Sequence, residues 1–270
     1  MVHIALREIK TGFRNPWAYS FLALFALFSL ALLLIQTKNI AAGYSATTAA
    51  MLNLILYLLP LMTLIIGSFS LTAEKEDGGW ELFAAYPVGT IAFIFGKFAG
   101  TAAVLLTIIA FGFGLTGLLG AAFGRGLDAA AFGMFLAFSV GLVLLYLAVA
   151  LMIGTVAENR WQAMTVSVAV WFFTIVAWPA LLIAGLGLLP YPWVKPAISA
   201  LTIFNPAELI RLFTMINLGG GAAIGPEYYH WISWAQHPAG TAAFAAICLA
   251  WIGAALAFAL LVWERRRAHG

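Results

Sequence analysis

The chain has 270 residues, of which 64% are hydrophobic and 9% are charged, and it has a formal net charge of +3. A soluble domain of this length could not bury so much apolar surface, so the composition excludes that class and indicates a polytopic membrane protein. The basic residues stand at the ends of apolar runs, where they set topology, and nucleic-acid binding is therefore not expected. The one cysteine, Cys248, lies within an apolar run and excludes intrachain disulfides.

Residues 1–15 predict an amphipathic helix that lies in the membrane interface before the first span. Its apolar residues recur at helical spacing: Val2, Leu6, Ile9 and Phe13. Basic residues follow on the adjacent face, where they can contact anionic lipid headgroups. The charged section is too long for a cleavable signal peptide. Asn15-Pro16 then provides a cap and a first-turn proline for the next helix.

Six apolar runs predict a single all-α membrane domain, residues 1–270, with six transmembrane helices, because a helix needs ~20 apolar residues to cross a bilayer. The predicted spans cover residues 17–35, 48–71, 91–121 (or 97–121), 130–156, 163–189 and 241–263. We expect a kink at Pro60 in the second span and a bend or break near Trp178-Pro179 in the fifth. With both termini cytoplasmic, nine Lys and Arg residues lie inside and four lie outside, which favours that orientation.

A polar stretch from Thr72 to Lys97 separates the second and third spans. It holds four of the ten acidic residues of the chain: Glu74, Glu76, Asp77 and Glu81. Gly78-Gly79 is expected to end the preceding helix. A short amphipathic helix that ends at Pro87 should then present three residues on one face: Trp80, Phe83 and Ala84. Residues 72–90 therefore form either a cytoplasmic docking element or a solvated turn whose aromatic side chains rest on lipid headgroups.

The stretch between the fifth and sixth spans, residues 190–240, is the other informative segment. A connection of about 50 residues is too long for a compact bundle unless it has structure of its own. Asn205-Pro206 marks a helix start, Glu208 occupies the first turn that favours an anion, and Gly219–Gly221 ends the helix. We expect one or two short helices on the extracytoplasmic surface, which either bind a partner or plug the outer end of the bundle.

Residue types that support catalysis or ion coupling are sparse. No Lys, Arg, Asp, Glu or His lies in the interior of a predicted span, which argues against ion-gradient coupling and against a membrane-embedded enzyme. Gly96-Lys97 is followed by Phe98 instead of Ser or Thr, so the chain is not expected to hydrolyse ATP. His230 and His237 have no third ligand nearby, and we expect neither a metal nor a cofactor. A channel would need a polar stripe, and the candidate threonines are too scattered: Thr101, Thr107 and Thr116.

The stretch after the second span resembles that of the ABC-2 type permeases, the membrane subunits of ATP-binding-cassette transporters. The matching residues are Glu74-Lys75-Glu76, Gly78, Glu81-Leu82 and Pro87-Val88. Trp80 departs from the family pattern, in which a small hydroxyl residue is common beside the glycine. The outer Asn205-Pro206-Ala207-Glu208, with Arg211 three residues on, is similar to the NosY-like permeases that accompany nitrous oxide reductase maturation, although that family usually has Asp where Glu208 stands.

The resemblance implies a non-catalytic permease subunit that pairs with a second copy of itself and with two copies of a cytoplasmic ATPase, which binds the ATP. The ATPase would dock on a coupling helix and the residues leading to it: Glu74, Lys75, Glu76, Asp77, Gly78, Gly79, Trp80, Glu81, Leu82, Phe83 and Pro87. A NosD-like periplasmic accessory protein would bind the outer segment through five residues: Asn205, Pro206, Glu208, Arg211 and Phe213.

The implied location is the bacterial inner membrane, and the implied cargo is a small sulfur-containing species exported for the maturation of a periplasmic copper enzyme. Two alternatives remain open at this point. One is a generic ABC-2 exporter of another substrate, and the other is a membrane anchor or enzyme that works without an ATPase.

Overall fold

The structure is a computed structural model that describes residues 1–35, 44–78, 89–122, 129–225 and 228–269. All regular elements in these ranges are helical, as the composition predicts. In chain order they are α1 (Val2–Gly12), α2 (Pro16–Ile35), α3 (Ala46–Glu76), α4 (Thr90–Ala122), α5 (Ala129–Val156), α6 (Arg160–Trp171), a π-helix (Phe172–Ala177), α7 (Trp178–Gly187), α8 (Tyr191–Phe204), α9 (Pro206–Asn217), a 3₁₀ turn (Gly220–Ala223), α10 (Tyr229–Gln236) and α11 (Pro238–His269).

Within the described ranges, five helical segments are long and apolar enough to cross a membrane. They are Ala46–Glu76, Thr90–Ala122, Ala129–Val156, Arg160–Gly187 and Pro238–Arg266. The first predicted span corresponds to α2, a helix of 20 residues in which Ala18–Leu27 is the apolar stretch found among the described residues. Length and composition therefore support five spans, and the sixth stays a prediction.

Helix α5 forms the centre of the bundle, since it packs against α3, α4, α9 and α11. Its residues Leu147 and Ala150 are completely buried. Small residues bring α3 and α5 close together. A Cβ on Gly67 would lie 2.6 Å from that of Ala150, and one on Gly154 would lie 2.9 Å from the backbone oxygen of Ser68. Close packing of this kind stabilises helix pairs in lipid, where the hydrophobic effect between helices is absent.

The polar connection between α3 and α4 is shorter than the sequence predicts. Helix α3 continues to Glu76, so Thr72–Glu76 forms its last turn, and α4 begins at Thr90, so Ile91–Lys97 is helical as well. The prediction that glycine ends α3 is confirmed, because Gly78 has a φ of 69°, which glycine adopts without the steric cost of a side chain. The predicted amphipathic helix from Trp80 to Pro87 lies outside the described residues.

The fifth span is interrupted where the sequence predicts a bend. A π-helix, Phe172–Ala177, directly precedes Trp178-Pro179 and connects α6 to α7. In a π-helix the carbonyl of residue i pairs with the N–H of residue i+5. The partner of the Thr174 carbonyl would be Pro179, which has no N–H. The amide of Asn205 supplies the missing donor at 2.6 Å and so connects the outer segment to this span.

Helix α1 lies along α4, and this contact was not foreseen from its amphipathic pattern. Two glycines of α4 permit the approach. A Cβ on Gly96 would lie 2.9 Å from that of Ile4, and one on Gly100 would lie 2.6 Å from that of Glu8. The predicted apolar residues Val2 and Leu6 are exposed on a different face. The helix itself is confirmed, and its position in the membrane interface stays a prediction.

The segment between α7 and α11 contains three helices, more than the one or two predicted. Helix α9 begins after Asn205 and ends at Asn217, and Gly219 follows in the left-handed conformation with a φ of 85°, as the sequence indicates. However, α9 does not lie on a surface, because its residues Ala207, Leu209 and Ile210 are buried and the helix packs against α5.

Candidate functional site

Lys97, in the third turn of α4, is at the centre of the charged contacts beside the connection between α3 and α4. Its side chain is 0% exposed, and its ammonium lies 2.6 Å from Glu8 Oε1 and 3.0 Å from Glu74 Oε1. It also donates a hydrogen bond of 2.7 Å to the carbonyl of Ser70. Lys97 therefore joins α1, α3 and α4 through one buried charge cluster, which we call the Lys97 cluster (Glu8, Glu74 and Lys97).

The Lys97 cluster corrects the prediction that no ionisable residue lies inside a span, because Lys97 belongs to a helix of membrane-spanning length. An unpaired buried ammonium would be very costly, and two carboxylates and a carbonyl compensate for that cost. Sequence reasoning also missed Glu8. The available signal was that Glu8 is the only acidic residue among residues 1–15.

Lys75, in the last turn of α3, caps the carboxyl end of α5. Its ammonium donates to the carbonyls of Gly154 at 2.8 Å, Thr155 at 2.9 Å and Ala157 at 2.7 Å. All three N–H donors of the lysine are used. From α11, Arg266 donates to the carbonyl of Val156 at 2.7 Å. Positive charge is favourable here because the carboxyl end of a helix carries partial negative charge.

Glu76 binds the amino end of α6. Its carboxylate accepts a hydrogen bond of 2.7 Å from the backbone N–H of Arg160 and pairs with the Arg160 guanidinium at 2.8 Å. The next residue, Asp77, is 4.0 Å from the same guanidinium, and its side chain is 75% exposed. The acidic residues at the end of α3 therefore tie that helix to the turn between α5 and α6.

The predicted ATPase-docking residues divide into two groups in the structure. Glu74, Lys75 and Glu76 contact other helices of this chain, whereas Asp77 is exposed and Gly78 forms the turn that follows α3. Six predicted docking residues lie outside the described residues: Gly79, Trp80, Glu81, Leu82, Phe83 and Pro87. Docking through this segment stays a prediction, and Glu74, Lys75 and Glu76 in its described part are bound to other helices of the chain.

Asn205, one of the five predicted partner-binding residues, is buried and 2% exposed. Its side-chain oxygen accepts from the N–H of Ala207 at 3.1 Å, and its side-chain nitrogen donates to the carbonyl of Thr174. One side chain therefore caps α9 and fastens it to the π-helix. Pro206, which follows it, is buried as well.

Glu208 and Arg211 form a bidentate ion pair one turn apart on α9. The Arg211 nitrogens Nε and Nη2 lie 2.9 Å and 2.5 Å from the two carboxylate oxygens of Glu208. Burial acts to lower the pKa of Arg211, but the Glu208 carboxylate outweighs burial and raises that pKa overall. Burial also raises the pKa of the nearby Tyr44, and Arg211 opposes this effect. The Glu208 side chain is nearly buried, and that of Arg211 is partly exposed.

Phe213, the fifth predicted residue, stacks on Phe244 of α11 with ring centroids 4.0 Å apart and planes 4° apart. The five predicted residues are thus close in the structure, but most of their contacts are made inside the chain. Partner binding by these residues stays a prediction. Of the two alternatives for this segment, the burial of α9 favours a plug for the end of the bundle.

No metal site is evident within the described ranges, where no three His, Cys, Asp or Glu side chains come together in an arrangement that could hold an ion. His237, one of the two histidines considered for a metal site, follows α10 directly. The contacts described above pair buried charges and cap helix ends.

Helices of membrane-spanning length around a central helix, with charged residues capping the helix ends, define a polytopic helical membrane protein. The sequence matches the family model of the ABC-2 family transporter proteins over residues 2–268, and the chain belongs to that family. It is 28% identical over 273 residues to the probable ABC transporter permease protein NosY of Stutzerimonas stutzeri, with 98% of each chain covered. It is 30% identical over 273 residues to the probable ABC transporter permease protein NosY of Pseudomonas aeruginosa, with 97% of each chain covered.

Membership of this family makes the chain a membrane permease component of an ABC transporter, a class that works with an ATPase subunit. The predicted likeness to ABC-2 permeases and to the NosY permeases is therefore confirmed. The ion-paired residues at the end of α3 therefore lie where the connection between the second and third predicted spans begins.

Proposed function

We propose that an ATPase docks on the connection between α3 and α4 and that the Lys97 cluster transmits its movement to the bundle. The observation that supports this proposal is that Lys97 binds Glu8 and Glu74 at once. A force on the connection is then applied to α1, α3 and α4 together. Lys75 and Glu76 extend the same rigid assembly to α5 and α6.

The functional transporter in this proposal contains two copies of this chain and two copies of the ATPase. ATP is bound by the ATPase, and this chain needs no cofactor and has no catalytic residue. Both termini are cytoplasmic, because the distribution of Lys and Arg favours that orientation. The connection between α3 and α4 then faces the cytoplasm, where the ATPase is found, and residues 190–240 face the periplasm.

The proposed cargo is a small sulfur-containing species exported for the maturation of nitrous oxide reductase, a periplasmic copper enzyme. The similarity to two proteins described as NosY permeases, over nearly their full lengths, supports this choice over a generic ABC-2 exporter. A NosD-like accessory protein is proposed to bind the outer segment. Asn205, Pro206 and Glu208 have internal contacts, so the partly exposed Arg211 is the best placed of the five residues to contact it.

The docking proposal is tested by purifying the chain from its native host in mild detergent and identifying bound proteins by mass spectrometry. We expect a soluble ATPase to be retained, and we expect Glu81→Lys and Leu82→Asp to release it. Lys195→Glu serves as the matched control, because this charge reversal affects an exposed residue of α8, after the far end of the fifth span. Retention of the ATPase by both Glu81→Lys and Leu82→Asp would contradict docking at this connection.

A further inference from the structure

A cleft of about 690 Å³ lies between α1, the end of α3, α4 and the start of α6. The Lys97 cluster borders it, since both Glu8 and Glu74 line its wall. Its other polar lining residues include Arg7, Arg14, Ser70 and Thr101. Three of the predicted docking residues, Glu74, Glu76 and Asp77, also line this cleft, so it adjoins the proposed ATPase-docking connection.

Three polar atoms in the lining of the cleft are buried without a hydrogen-bond partner among the described residues: Ser70 Oγ, Glu74 Oε2 and Thr101 Oγ1. Thr101 is only 5% exposed. A buried polar group that lacks a partner costs about 1–3 kcal/mol, and a charged one costs more. The cleft therefore contains one carboxylate oxygen and two hydroxyls that a ligand with N–H donors could satisfy.

The contacts of Lys97 bring together the helix faces that carry these three atoms. Ser70 and Glu74 are one turn apart on α3, and Lys97 and Thr101 are one turn apart on α4, so each pair shares a helix face. The Lys97 ammonium contacts the Ser70 carbonyl and Glu74 Oε1 across the interface. Because Lys97 already occupies Oε1 of Glu74, the other oxygen, Oε2, is left to accept from another donor.

The same cleft also offers positive charge. Arg14 makes no ion pair with any described residue, and Arg7 makes only a 3.5 Å contact with Glu74 while its side chain stays 62% exposed. Arginine binds phosphate well because its guanidinium presents several donors in one plane. The cleft thus combines acceptors for a primary ammonium with donors for a phosphate.

The surroundings of the cleft match the boundary between lipid and water. Helix α1, which forms one wall, exposes Val2 and Leu6, and Trp161, on the other side, is 76% exposed. Amphipathic helices and exposed tryptophans are typical of the headgroup level of a bilayer. A ligand with acyl chains could therefore enter from the membrane.

We propose that this cleft binds a phosphate ester with a primary ammonium group, the chemistry of a phosphatidylethanolamine headgroup. The ammonium donates to Glu74 Oε2 and to the hydroxyls of Ser70 and Thr101, and Arg7 and Arg14 bind the phosphate. Bound lipid of this kind connects α1 to α3 and α4 at the level of the Lys97 cluster.

The test uses the full-length chain, delipidated in detergent, and native mass spectrometry with three phospholipids that have identical acyl chains. Phosphatidylethanolamine supplies N–H donors, phosphatidylcholine has a positive charge without N–H donors, and phosphatidylglycerol has no positive charge. We expect about tenfold stronger retention of phosphatidylethanolamine than of the other two, since a lost hydrogen bond to a charged group costs at least about 1.4 kcal/mol. Equal retention of the three lipids would overturn the proposal.

Variants of the chain locate the site. Thr101→Val and Glu74→Gln should each reduce retention of phosphatidylethanolamine severalfold, and Ser70→Ala is a milder third variant if either protein is poorly folded. Thr63→Val is the matched control, because the Thr63 hydroxyl is also buried without a described partner but lies outside the cleft lining. Unchanged retention in Thr101→Val, Glu74→Gln and Ser70→Ala would place the lipid elsewhere and overturn the assignment.

A last measurement distinguishes binding of a lipid from binding of a soluble compound with the same headgroup. Soluble phosphoethanolamine is added at increasing concentration to the protein that holds phosphatidylethanolamine. Displacement by millimolar phosphoethanolamine supports recognition of the headgroup alone. Displacement only by added phosphatidylethanolamine supports entry of the ligand from the membrane. If Thr101→Val releases the bound lipid no more readily than the wild-type chain does, the cleft does not form the contacts proposed for it.

Discussion

The ammonium of Lys97 lies 2.6 Å from Oε1 of Glu8, although the two residues are 89 positions apart in the chain. The pair joins an amino-terminal helix to the beginning of a helix of membrane-spanning length. Glu74 binds the same ammonium from the end of α3. The two helices that flank the proposed docking connection are therefore joined to each other and to α1 by a single side chain.

The first prediction concerns the charge of Lys97. Lys97→Met should lower the free energy of unfolding by about 3–5 kcal/mol, because two buried carboxylates lose the cation that they share. Thermal unfolding of the purified chain in detergent measures the change.

A combined variant separates charge from packing at the same place. Adding Glu8→Gln and Glu74→Gln to Lys97→Met removes the uncompensated negative charge, so the triple variant should be more stable than Lys97→Met alone. A triple variant that is less stable than Lys97→Met would show that electrostatics is not what the cluster contributes.

The second prediction concerns the lysine that caps α5. Lys75→Met leaves the carbonyls of Gly154, Thr155 and Ala157 without their donor and should cost about 1–2 kcal/mol of stability. Lys10→Met removes the same charge from an exposed position of α1 and should change stability by less than about 0.5 kcal/mol. Unfolding midpoints of the two variants provide the comparison, and equal midpoints would mean that the cap is energetically unimportant.

The third prediction tests the bond between the outer segment and the π-helix. Asn205→Asp keeps an acceptor that can cap α9 but replaces the donor to the Thr174 carbonyl with a negative oxygen. We expect a loss of about 1–3 kcal/mol, measured by unfolding.

Pro179→Ala provides the matching background for this test. Alanine restores an N–H five residues after Thr174, so the Thr174 carbonyl can be satisfied within its own helix. Asn205→Asp should therefore cost less in a Pro179→Ala chain than in the original chain. An equal cost in both backgrounds would show that the two sites are not coupled through this carbonyl.

The fourth prediction concerns the close contact between α1 and α4. A side chain at Gly100 would lie 2.6 Å from the Cβ of Glu8, so Gly100→Val should displace α1 and separate Glu8 from Lys97. Trypsin should then cleave at Arg7 and Lys10 several times faster than in the original chain, because a displaced helix is more often unfolded. Gly114→Val, on the same helix, is the control, since a Cβ at that position would have no described neighbouring atom within 4 Å. Equal cleavage of the two variants would argue against the contact.

Helix ends were predictable from the sequence because they depend on adjacent residues. Gly78 ends α3 and Asn205-Pro206 begins α9, and both follow from the dihedral preferences and hydrogen-bonding groups of the residues themselves. The interruption beside Pro179 is local for the same reason. The motif after the second span was similarly sufficient to indicate the ABC-2 family, to which the chain belongs.

Contacts across the fold were not predictable in this way. Lys97 was assigned to the edge of a polar loop, because apolar periodicity does not reveal which residues lie opposite a given face. Glu74 and Glu76 were assigned to docking through the resemblance to ABC-2 permeases, and that resemblance gave no sign that they pair with Lys97 and Arg160 inside the chain. The same limitation applied to α9, whose amphipathic pattern does not distinguish a helix on the surface from one packed against α5.

The amino-acid sequence by itself determined that this protein is a bundle of apolar helices, where most of those helices begin and end, and which family it resembles. Only the tertiary structure decided that Lys97 is a buried junction of three helices, that Lys75 caps α5, and that Asn205 completes the π-helix. The physical reason is the separation of the interacting residues along the chain. Caps and turns depend on neighbouring residues, but a buried charge or a free carbonyl is stable only when packing brings a distant partner within hydrogen-bonding distance.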